Sequence, residues 1–171
     1  MNSGIDPLPP LVKLGDCDGK WKSYIEAVFA EFYRDFICSQ PKFRGKKVCC
    51  RRDPIYDGKE AGFWHCTSEG SSEQNRTPDL RRCERIRWMR YALEHAEEDG
   101  IDCWTKKHGN AIRHLVWLRE EFLVILEERR GGSDCVRYYQ LITAFCTPEA
   151  HRKRKYRRDR DQARRDEPRN G

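Results

Sequence analysis

Near the beginning of the chain, apolar residues recur at the spacing of an amphipathic helix. Across residues 21–38 one apolar residue follows another every three or four positions, as a helix with one buried face requires. Asp18 is placed to cap this helix and Pro41 to end it. We therefore predict a helix that packs one stripe into the core. The stripe consists of Trp21, Tyr24, Ile25, Val28, Phe29, Phe32 and Phe36.

A second helix is predicted from a typical start. Thr77 can cap it, Pro78 suits the first helical position, and the Asp79 carboxylate favours the positive end of the helix dipole. We predict a helix over residues 78–97, with Gly100 after its end. Its predicted inner face carries Leu80, Cys83, Ile86, Met89 and Leu93.

The segments between and after the two helices favour strands. Ala61–Thr67 is predicted as a short strand, and residues 43–52 as a strand with poor alternation. Four later segments joined by short turns predict an antiparallel meander. They are residues 102–107, 112–119, 122–129 and 136–146. Helix, short strand region, helix and antiparallel sheet in this order predict an α+β fold.

The two ends of the chain differ from its middle in composition. Residues 1–16 contain Pro7, Pro9 and Pro10, which oppose a helix, so a disordered arm is predicted there. Residues 149–171 hold ten Lys or Arg and five Asp or Glu, and therefore five of the six net positive charges. We predict one α+β domain over residues 17–148, followed by a basic tail that is flexible or helical.

The composition limits the class of protein. A chain of 171 residues can fold as one domain without disulfides or metal. No apolar run approaches the ~20 residues that cross a membrane, and no secretory signal is visible, which favours a cytoplasmic protein with no membrane partner. The nine cysteines are odd in number and show no CxxC spacing, so reduced thiols are favoured over a disulfide framework.

Zinc is an alternative that the residue types raise. Cysteine and histidine are zinc ligands, and five of them fall within 35 residues. Adjacent ligands suit one tetrahedral site badly, and no CxxC or HxxxH spacing occurs, so we predict no metal and no cofactor. The residues concerned are Cys49, Cys50, His65, Cys66 and Cys83.

Three groups of residues are candidates for chemistry. His65 follows an aromatic pair, and its imidazole can act as acid or base near neutral pH. The second helix carries five arginines within ten residues, and guanidinium groups suit phosphate oxygens. Thr143 is predicted to share a strand face with Tyr139, Leu141 and Phe145, and could offer its hydroxyl to a phosphate. Each group also has a purely structural alternative. His65 could be a packed histidine, the arginines could form a solvated helix face, and Thr143 could be present because threonine favours strands.

These residues together predict a site that cleaves RNA without a metal, with His65, Arg82 and Thr143 as the catalytic set. The 2′-hydroxyl would attack the adjacent phosphate while a base removes its proton, an acid protonates the leaving oxygen, and cations stabilise the phosphorane. Other basic or aromatic residues are predicted to bind the nucleic acid. They are Arg81, Arg85, Lys106, Tyr139, Arg152, Lys153, Arg154 and Lys155.

Three short segments resemble the barnase–EndoU–colicin–RelE superfamily of small ribonucleases, in the versions carried by phages and mobile elements. The resemblance spans residues 43–158 and implies a toxin or defence ribonuclease acting on tRNA, rRNA or mRNA, with an immunity or antitoxin protein as partner. The acidic residue that some members use as base has no clear equivalent in the sequence. The three segments are Phe63-Trp64-His65 with Thr67-Ser68, residues 78–90 with Trp88, and residues 139–145 followed by basic residues.

Two other classes of protein stay open. A nucleic-acid-binding adaptor without catalysis would use the same arginines and the basic tail, with aromatic side chains stacked on bases. A protein-interaction module of a mobile element would use neither. Replacement of His65 separates these classes, because only the ribonuclease depends on an acid–base group. Deletion after Pro148 should weaken only a nucleic-acid-binding protein.

Overall fold

The computed structural model describes residues 7–132 and 134–167. None of the helices in these ranges has the length and apolar character needed to cross a membrane. The α-helices are α1 (Trp21–Tyr33), α2 (Ala61–Thr67), α3 (Leu80–Glu84), α4 (Trp88–Glu94) and α5 (Ala150–Asp166). The strands are β1 (Lys42–Phe43), β2 (Lys46–Cys50), β3 (Ile55–Tyr56), β4 (Lys59–Glu60), β5 (Ser68–Glu69), β6 (Thr77–Pro78), β7 (Ile101–His108), β8 (Ala111–Leu118), β9 (Phe122–Arg130) and β10 (Val136–Cys146).

Six strands form one mixed sheet in the order β1-β2-β10-β9-β8-β7. The four long strands β7 to β10 are antiparallel neighbours, which confirms the predicted meander. On the other side of β10 lies β2, parallel to it, with Val48 beside Tyr139. The fold is therefore α+β, as predicted, and the last strand lies inside the sheet rather than at its edge.

One face of the sheet, which we call the inner face, packs against α1 and α4. The predicted stripe of α1 is confirmed in the main, since Tyr24, Val28 and Phe32 are fully buried, although Trp21 stays 42% exposed. They share one core with Met89 of α4 and with Val124 of β9. Full burial of side chains of this size contributes roughly 1.5–3 kcal/mol each, so this core is the main source of stability.

The predicted strand at Ala61–Thr67 is wrong, because this segment is α2. Its buried Phe63 and Cys66 are three positions apart, which suits one face of a helix. The helix starts directly against the chain after β2, where the Gly62 N–H donates to the Arg51 carbonyl at 2.8 Å. A short apolar run does not distinguish a buried helix from a strand, so periodicity alone misassigned it.

Both helix starts differ from the prediction. Asp18 adopts a left-handed backbone conformation and makes no cap, and α1 begins after Lys20 without a side-chain cap. Asp79, rather than Thr77, caps the second helix, because its carboxylate accepts from the Arg81 N–H at 2.9 Å. The predicted helix over residues 78–97 is divided into α3 and α4 by a turn, while Thr77–Pro78 pairs with Ser68–Glu69 as a small hairpin.

The arm that we predicted to be disordered lies against the core over residues 7–16, so the prediction is wrong there. The Val12 N–H donates to the Glu84 carbonyl at 2.9 Å, and the Tyr24 hydroxyl donates to the Val12 carbonyl at 2.9 Å. The Trp88 indole N–H donates to the Pro9 carbonyl at 2.9 Å. Proline prevents a helix but leaves carbonyl acceptors free for such extended contacts. Residues 1–6 of the predicted arm lie outside the described ranges.

The basic segment after the sheet is a helix over Ala150–Asp166, which is one of the two forms predicted for it. It packs on the face of the sheet opposite α1, which we call the outer face. The Tyr156 ring lies 5.9 Å from the ring of Trp117 and 6.4 Å from those of Trp104 and Phe145. The helix is therefore part of the folded domain over these residues, and residues 168–171 of the predicted tail lie outside the described ranges.

Ion pairs add to the attachment of α5. Four of its charged residues reach partners on the sheet or its turns, so part of the basic excess is neutralised within the protein. Exposed pairs of this kind contribute at most about 1 kcal/mol each, so the aromatic contacts of Tyr156 dominate. The pairs are Arg160 and Arg164 with Asp102, Asp159 with Lys106, and Arg157 with Glu120.

We expect Tyr156→Ala to lower the free energy of unfolding by about 2 kcal/mol, because it removes a half-buried ring from the outer-face core. Chemical denaturation would show a lower midpoint. Arg158→Ala is the matched control on the same helix, since its side chain is exposed. Equal midpoints for Tyr156→Ala and the control would contradict a packed α5.

Candidate active site

A β-bulge in β10 decides which of its residues face which side. Ile142 is the extra residue, because it has no partner on β9 while its neighbours are paired. Before the bulge, Tyr139 and Leu141 face the inner core; after it, Phe145 packs against α5 on the outer face, with Thr143 on the same side. The prediction that these four residues share one face is therefore wrong.

The helix α2 lies beside β10, beyond the point where β2 has ended, and this brings His65 to the sheet. The Thr143 hydroxyl donates to the His65 carbonyl at 2.7 Å. A Cβ at Gly62 would stand 2.9 Å from the Arg51 carbonyl, so only glycine lets the helix approach so closely. The structure thus joins His65 and Thr143, but the Thr143 hydrogen is already in use. Thr143 is a positioning residue rather than a free phosphate donor.

The His65 imidazole is oriented by a carboxylate. Its Nε2 lies 2.8 Å from Oε1 of Glu73, which belongs to the loop between β5 and β6. The hydrogen bond with His65, together with the charges of Arg51 and Arg76, holds the pKa of Glu73 below its usual range despite some desolvation. Within residues 7–132 and 134–167, Nδ1 of His65 has no hydrogen-bond partner. The His65 side chain is 27% exposed and lines the cavity described next.

A cavity of about 350 Å³ opens in front of His65. Its polar lining consists of His65, Arg51, Arg129 and Gln140, and Ile142 of the bulge contributes an apolar part. The Arg51 Nε–H donates to the Asp53 carbonyl at 2.8 Å, and Gln140 donates to the Cys49 carbonyl at 3.2 Å, so both are held by backbone acceptors. The cavity therefore places two guanidinium groups and one imidazole around a space of substrate size.

A buried carboxylate is hydrogen-bonded to Arg129, one of the residues that line this cavity. Glu127 is 8% exposed and stands beside Gln140 in the register of β9 and β10. Arg129 donates to one of its oxygens at 2.6 Å and Arg113 to the other at 3.0 Å. Burial raises the pKa of Glu127, but the hydrogen bond from Arg113 and the charge of Arg129 outweigh it, so the net pKa is lowered. Glu127 is consequently an ionised acceptor between two cations, each with further N–H donors.

Sequence reasoning missed Glu127, Arg113 and Arg129. The signal was the alternation of β8 and β9 on the outer face, where Arg113 comes two positions before Leu115 and Glu127 two positions after Ile125. Two-residue spacing places those charges on the outer face. The sequence does not show that these charged side chains contact one another. That follows only from the register of β8 and β9, in which Arg113 is opposite Glu127.

Arg82, predicted to stabilise the phosphate, makes structural contacts. Its guanidinium donates to the Ser68 carbonyl at 3.1 Å and to Glu69 at 2.7 Å, and lies 3.5 Å from Asp79. It also stacks over the Phe145 ring at 5.5 Å and is only 9% exposed. These contacts connect α3 to β5 and occupy the N–H donors of the guanidinium that would bind a phosphate. Arg82 is therefore not included among the proposed catalytic residues.

The residues predicted to bind nucleic acid are dispersed. Tyr139 is 5% exposed on the inner face, between Phe43 and His114, so its predicted contact with a base is wrong. Arg81 and Arg85 belong to the region of α3 and do not line the cavity, and Arg85 stacks on the Trp88 ring at 5.0 Å. The others lie at β7 or along α5. These are Lys106, Arg152, Lys153, Arg154 and Lys155.

A second histidine–glutamate pair, His114 with Glu128, is buried in the core and can be compared with the His65–Glu73 pair. His114 is 5% exposed on the inner face, and its Nε2 lies 2.7 Å from Glu128. Burial lowers the pKa of His114 and outweighs the hydrogen bond to Glu128, so the imidazole is held neutral. The His114 side chain is 6% exposed, whereas that of His65 is 27% exposed and lines a cavity, and this difference favours His65 for chemistry.

The three buried cysteine thiols, those of Cys50, Cys66 and Cys83, belong to the core rather than to the cavity. Burial raises the pKa of Cys50 to about 11 and that of Cys66 and Cys83 to about 12, so these thiols stay protonated. Among the described residues, no three histidine, cysteine, aspartate or glutamate side chains come together as a metal-binding group.

Comparison of the chain with family models, with curated proteins and with solved structures finds no match. The resemblance to the barnase–EndoU–colicin–RelE superfamily therefore stays a prediction. The function is inferred from the residues and their geometry.

Proposed function

We propose that the protein is a cytoplasmic endoribonuclease that cleaves RNA by attack of the 2′-hydroxyl on the adjacent phosphate, with its own side chains as acid and base. One observation carries the proposal. An imidazole paired with Glu73 lines a cavity together with Arg51 and Arg129, and directly behind Arg129 lies the carboxylate of Glu127, which accepts from Arg129 and Arg113. Such a set supplies a proton donor, a proton acceptor and cations for an anionic transition state.

The two environments assign the acid and the base. In-line attack places the nucleophile and the leaving oxygen on opposite sides of phosphorus, so two different groups must move the protons. Glu127 has a lowered pKa and is ionised at neutral pH, which makes it the base. His65 is then the acid. In the imidazolium form its Nε2–H donates to Glu73 at 2.8 Å, and its Nδ1–H is left for the leaving 5′-oxygen.

The arginines stabilise the charge that develops on phosphorus. Arg51 and Arg129 line the cavity, and Arg113 is joined to Arg129 through Glu127. A guanidinium has five N–H donors, so Arg129 keeps donors for phosphate oxygens while it holds Glu127. Each positioned donor of this kind typically contributes about 3 kcal/mol to transition-state stabilisation.

The bond changes balance without a further reactant. The O2′–P bond forms and the P–O5′ bond breaks; Glu127 takes the 2′-hydroxyl proton and His65 gives a proton to the 5′-oxygen. The products are a 2′,3′-cyclic phosphate and a 5′-hydroxyl. DNA has no 2′-hydroxyl, so it can occupy the cavity but cannot react by this route.

The direct test is incubation of the purified protein with total cellular RNA in the presence of EDTA. We expect discrete fragments whose 3′ ends carry a cyclic phosphate, and no cleavage of a 2′-O-methyl oligonucleotide of any sequence. Mass spectrometry of the fragment ends is the readout. Intact RNA, or ends that carry only linear 5′-phosphates, would refute this reaction.

A role in toxicity or defence is part of the proposal. Free cleavage of tRNA, rRNA or mRNA would harm the cell that makes the protein, so an immunity or antitoxin protein is the proposed partner. A binding adaptor is the second candidate, which the exposed Arg152 and Arg154 on α5 favour. An adaptor would shift RNA on a native gel, leave it intact, and be unaffected by replacement of His65.

A further inference from the structure

A second cavity, of about 230 Å³, opens on the outer face between the β7–β8 hairpin and α5. The mechanism proposed above does not use it. Lys106, Lys107 and Arg113 of the hairpin and Lys155 of α5 make its lining cationic. The aromatic ring of Tyr156 on α5 also lines it.

Arg113 connects this second cavity to the candidate active site. It lines the second cavity, and its Nε–H donates to Glu127 at 3.0 Å. Glu127 in turn accepts from Arg129, which lines the cavity in front of His65. The two cavities are thus neighbours along the outer face, separated by one carboxylate and its two guanidinium groups.

The charge of the second cavity favours an anion. Lys106 is neutralised by Asp159 at 2.7 Å, and Arg113 by Glu127. Lys107 and Lys155 are exposed, and among the described residues neither has an ion-pair partner. Lys155 lies 5.9 Å from the centroid of the Tyr156 ring, which keeps its ammonium close to the cavity wall. Two lysines without an ion-pair partner therefore contribute to the lining of one space, which suits it to a phosphate.

The floor of the second cavity is apolar. Leu115 and Ile125 of the sheet line it together with Tyr156 of α5. Burial raises the pKa of Tyr156, so its hydroxyl stays neutral at physiological pH. An apolar floor with an aromatic wall and cations at the rim is suited to a nucleobase attached to a phosphate.

We propose that this second cavity binds the nucleotide next to the scissile phosphate of a single-stranded RNA, with the base against Tyr156 and Ile125 and its phosphate between Lys107 and Lys155. This inference rests on the proposed function, whose substrate it specifies. A duplex keeps its bases stacked and paired, so only an unpaired nucleotide can turn its base into the cavity. Loops and single-stranded segments are therefore the substrate class.

The test compares two double variants of the full chain. Lys107→Ala/Lys155→Ala removes both free ammonium groups, and Arg158→Ala/Arg165→Ala removes two exposed charges from α5 outside the cavity. The probe for binding is a 12-nucleotide 2′-O-methyl oligonucleotide, followed by fluorescence anisotropy at several salt concentrations. We expect the first variant to bind about tenfold more weakly and to lower the slope of log K against log salt by about 0.7, which is the contribution of one neutralised phosphate on a single strand.

Cleavage is measured beside binding, on a 12-nucleotide RNA and on a dinucleotide whose single phosphate is the scissile one, so that it lacks the phosphate proposed to lie between Lys107 and Lys155. We expect the lysine variant to raise KM for the long RNA about tenfold, with the dinucleotide unaffected. Equal weakening by the arginine control, unchanged affinity, or tighter binding of polyglutamate than of the oligonucleotide would overturn the inference. A wild-type protein that binds through Lys107 and Lys155 but leaves RNA intact would refute the ribonuclease and keep the binding site.

Discussion

Replacement of His65 with alanine is expected to reduce the rate of RNA cleavage about a thousandfold while the fold is kept. A positioned general acid typically contributes between about a hundred- and ten-thousandfold. The variant loses the imidazole, which is the proposed proton donor and lies 2.8 Å from the Glu73 carboxylate that orients it. Because the side chain is partly exposed and Thr143 binds the His65 backbone rather than the ring, α2 should stay on β10. Single-turnover cleavage of a labelled RNA is the measurement.

His151→Ala is the matched control for this experiment, since His151 is exposed at the start of α5 and lines neither cavity. It should cleave at the wild-type rate. Circular dichroism and thermal unfolding would show that both variants are folded. Cleavage by His65→Ala within about fivefold of the wild type would remove His65 from the chemistry, since even a weak general acid contributes more than that.

The second large effect is expected for Glu127→Gln, which should lower the cleavage rate by about two to three orders of magnitude. Glutamine keeps the shape of the side chain, so one of the two arginines can still donate to its oxygen, but the amide cannot accept the 2′-hydroxyl proton. The effect should appear in kcat more than in KM, because the proton moves only in the transition state. Glu121→Gln, an exposed residue at the other end of β9, is the control.

The pH dependence separates the roles of the two groups. Cleavage should fall in acid as Glu127 is protonated, and this limb should lie below the range of an ordinary carboxyl because its pKa is lowered. The stability of the fold depends on pH with the same sign. Because the pKa of Glu127 is lower in the folded than in the unfolded state, its contribution to stability is fully present above the unfolded-state pKa and is lost as the pH falls through the folded-state pKa. Glu127→Gln should abolish the acid limb of the rate. An unchanged acid limb in that variant would assign the base to another residue.

The elements with strong periodicity were predictable from the sequence. The last four strands and α1 have long apolar patterns of one clear period. The strand bounds were predicted within one residue, and α1 begins at the predicted residue but ends at Tyr33, five residues before the predicted end. The short α2 and the break between α3 and α4 were not, because a segment of seven residues takes its conformation from what it packs against. At α2 this is the close contact of Gly62 with the chain after β2.

The candidate site was only partly predictable for the same reason. His65 was identified because its type and neighbours are informative by themselves. Glu127 and Arg113 are ordinary charged residues in sequence, and they form a pair only through the register of β8 and β9. Thr143 was placed on the wrong face because a single bulged residue, Ile142, is invisible to a two-residue period.

The parallel pairing of β2 with β10 has a consequence for when the protein becomes active. Gln140 reaches the Cys49 carbonyl across 91 positions of the chain, and α2 has no strand to lie on until β10 is present. During translation the earlier elements emerge first, and contacts between such distant segments form last. The cavity in front of His65 is therefore incomplete on a growing chain. If the proposed cleavage takes place, the ribosome that makes the protein is spared until β10 has emerged.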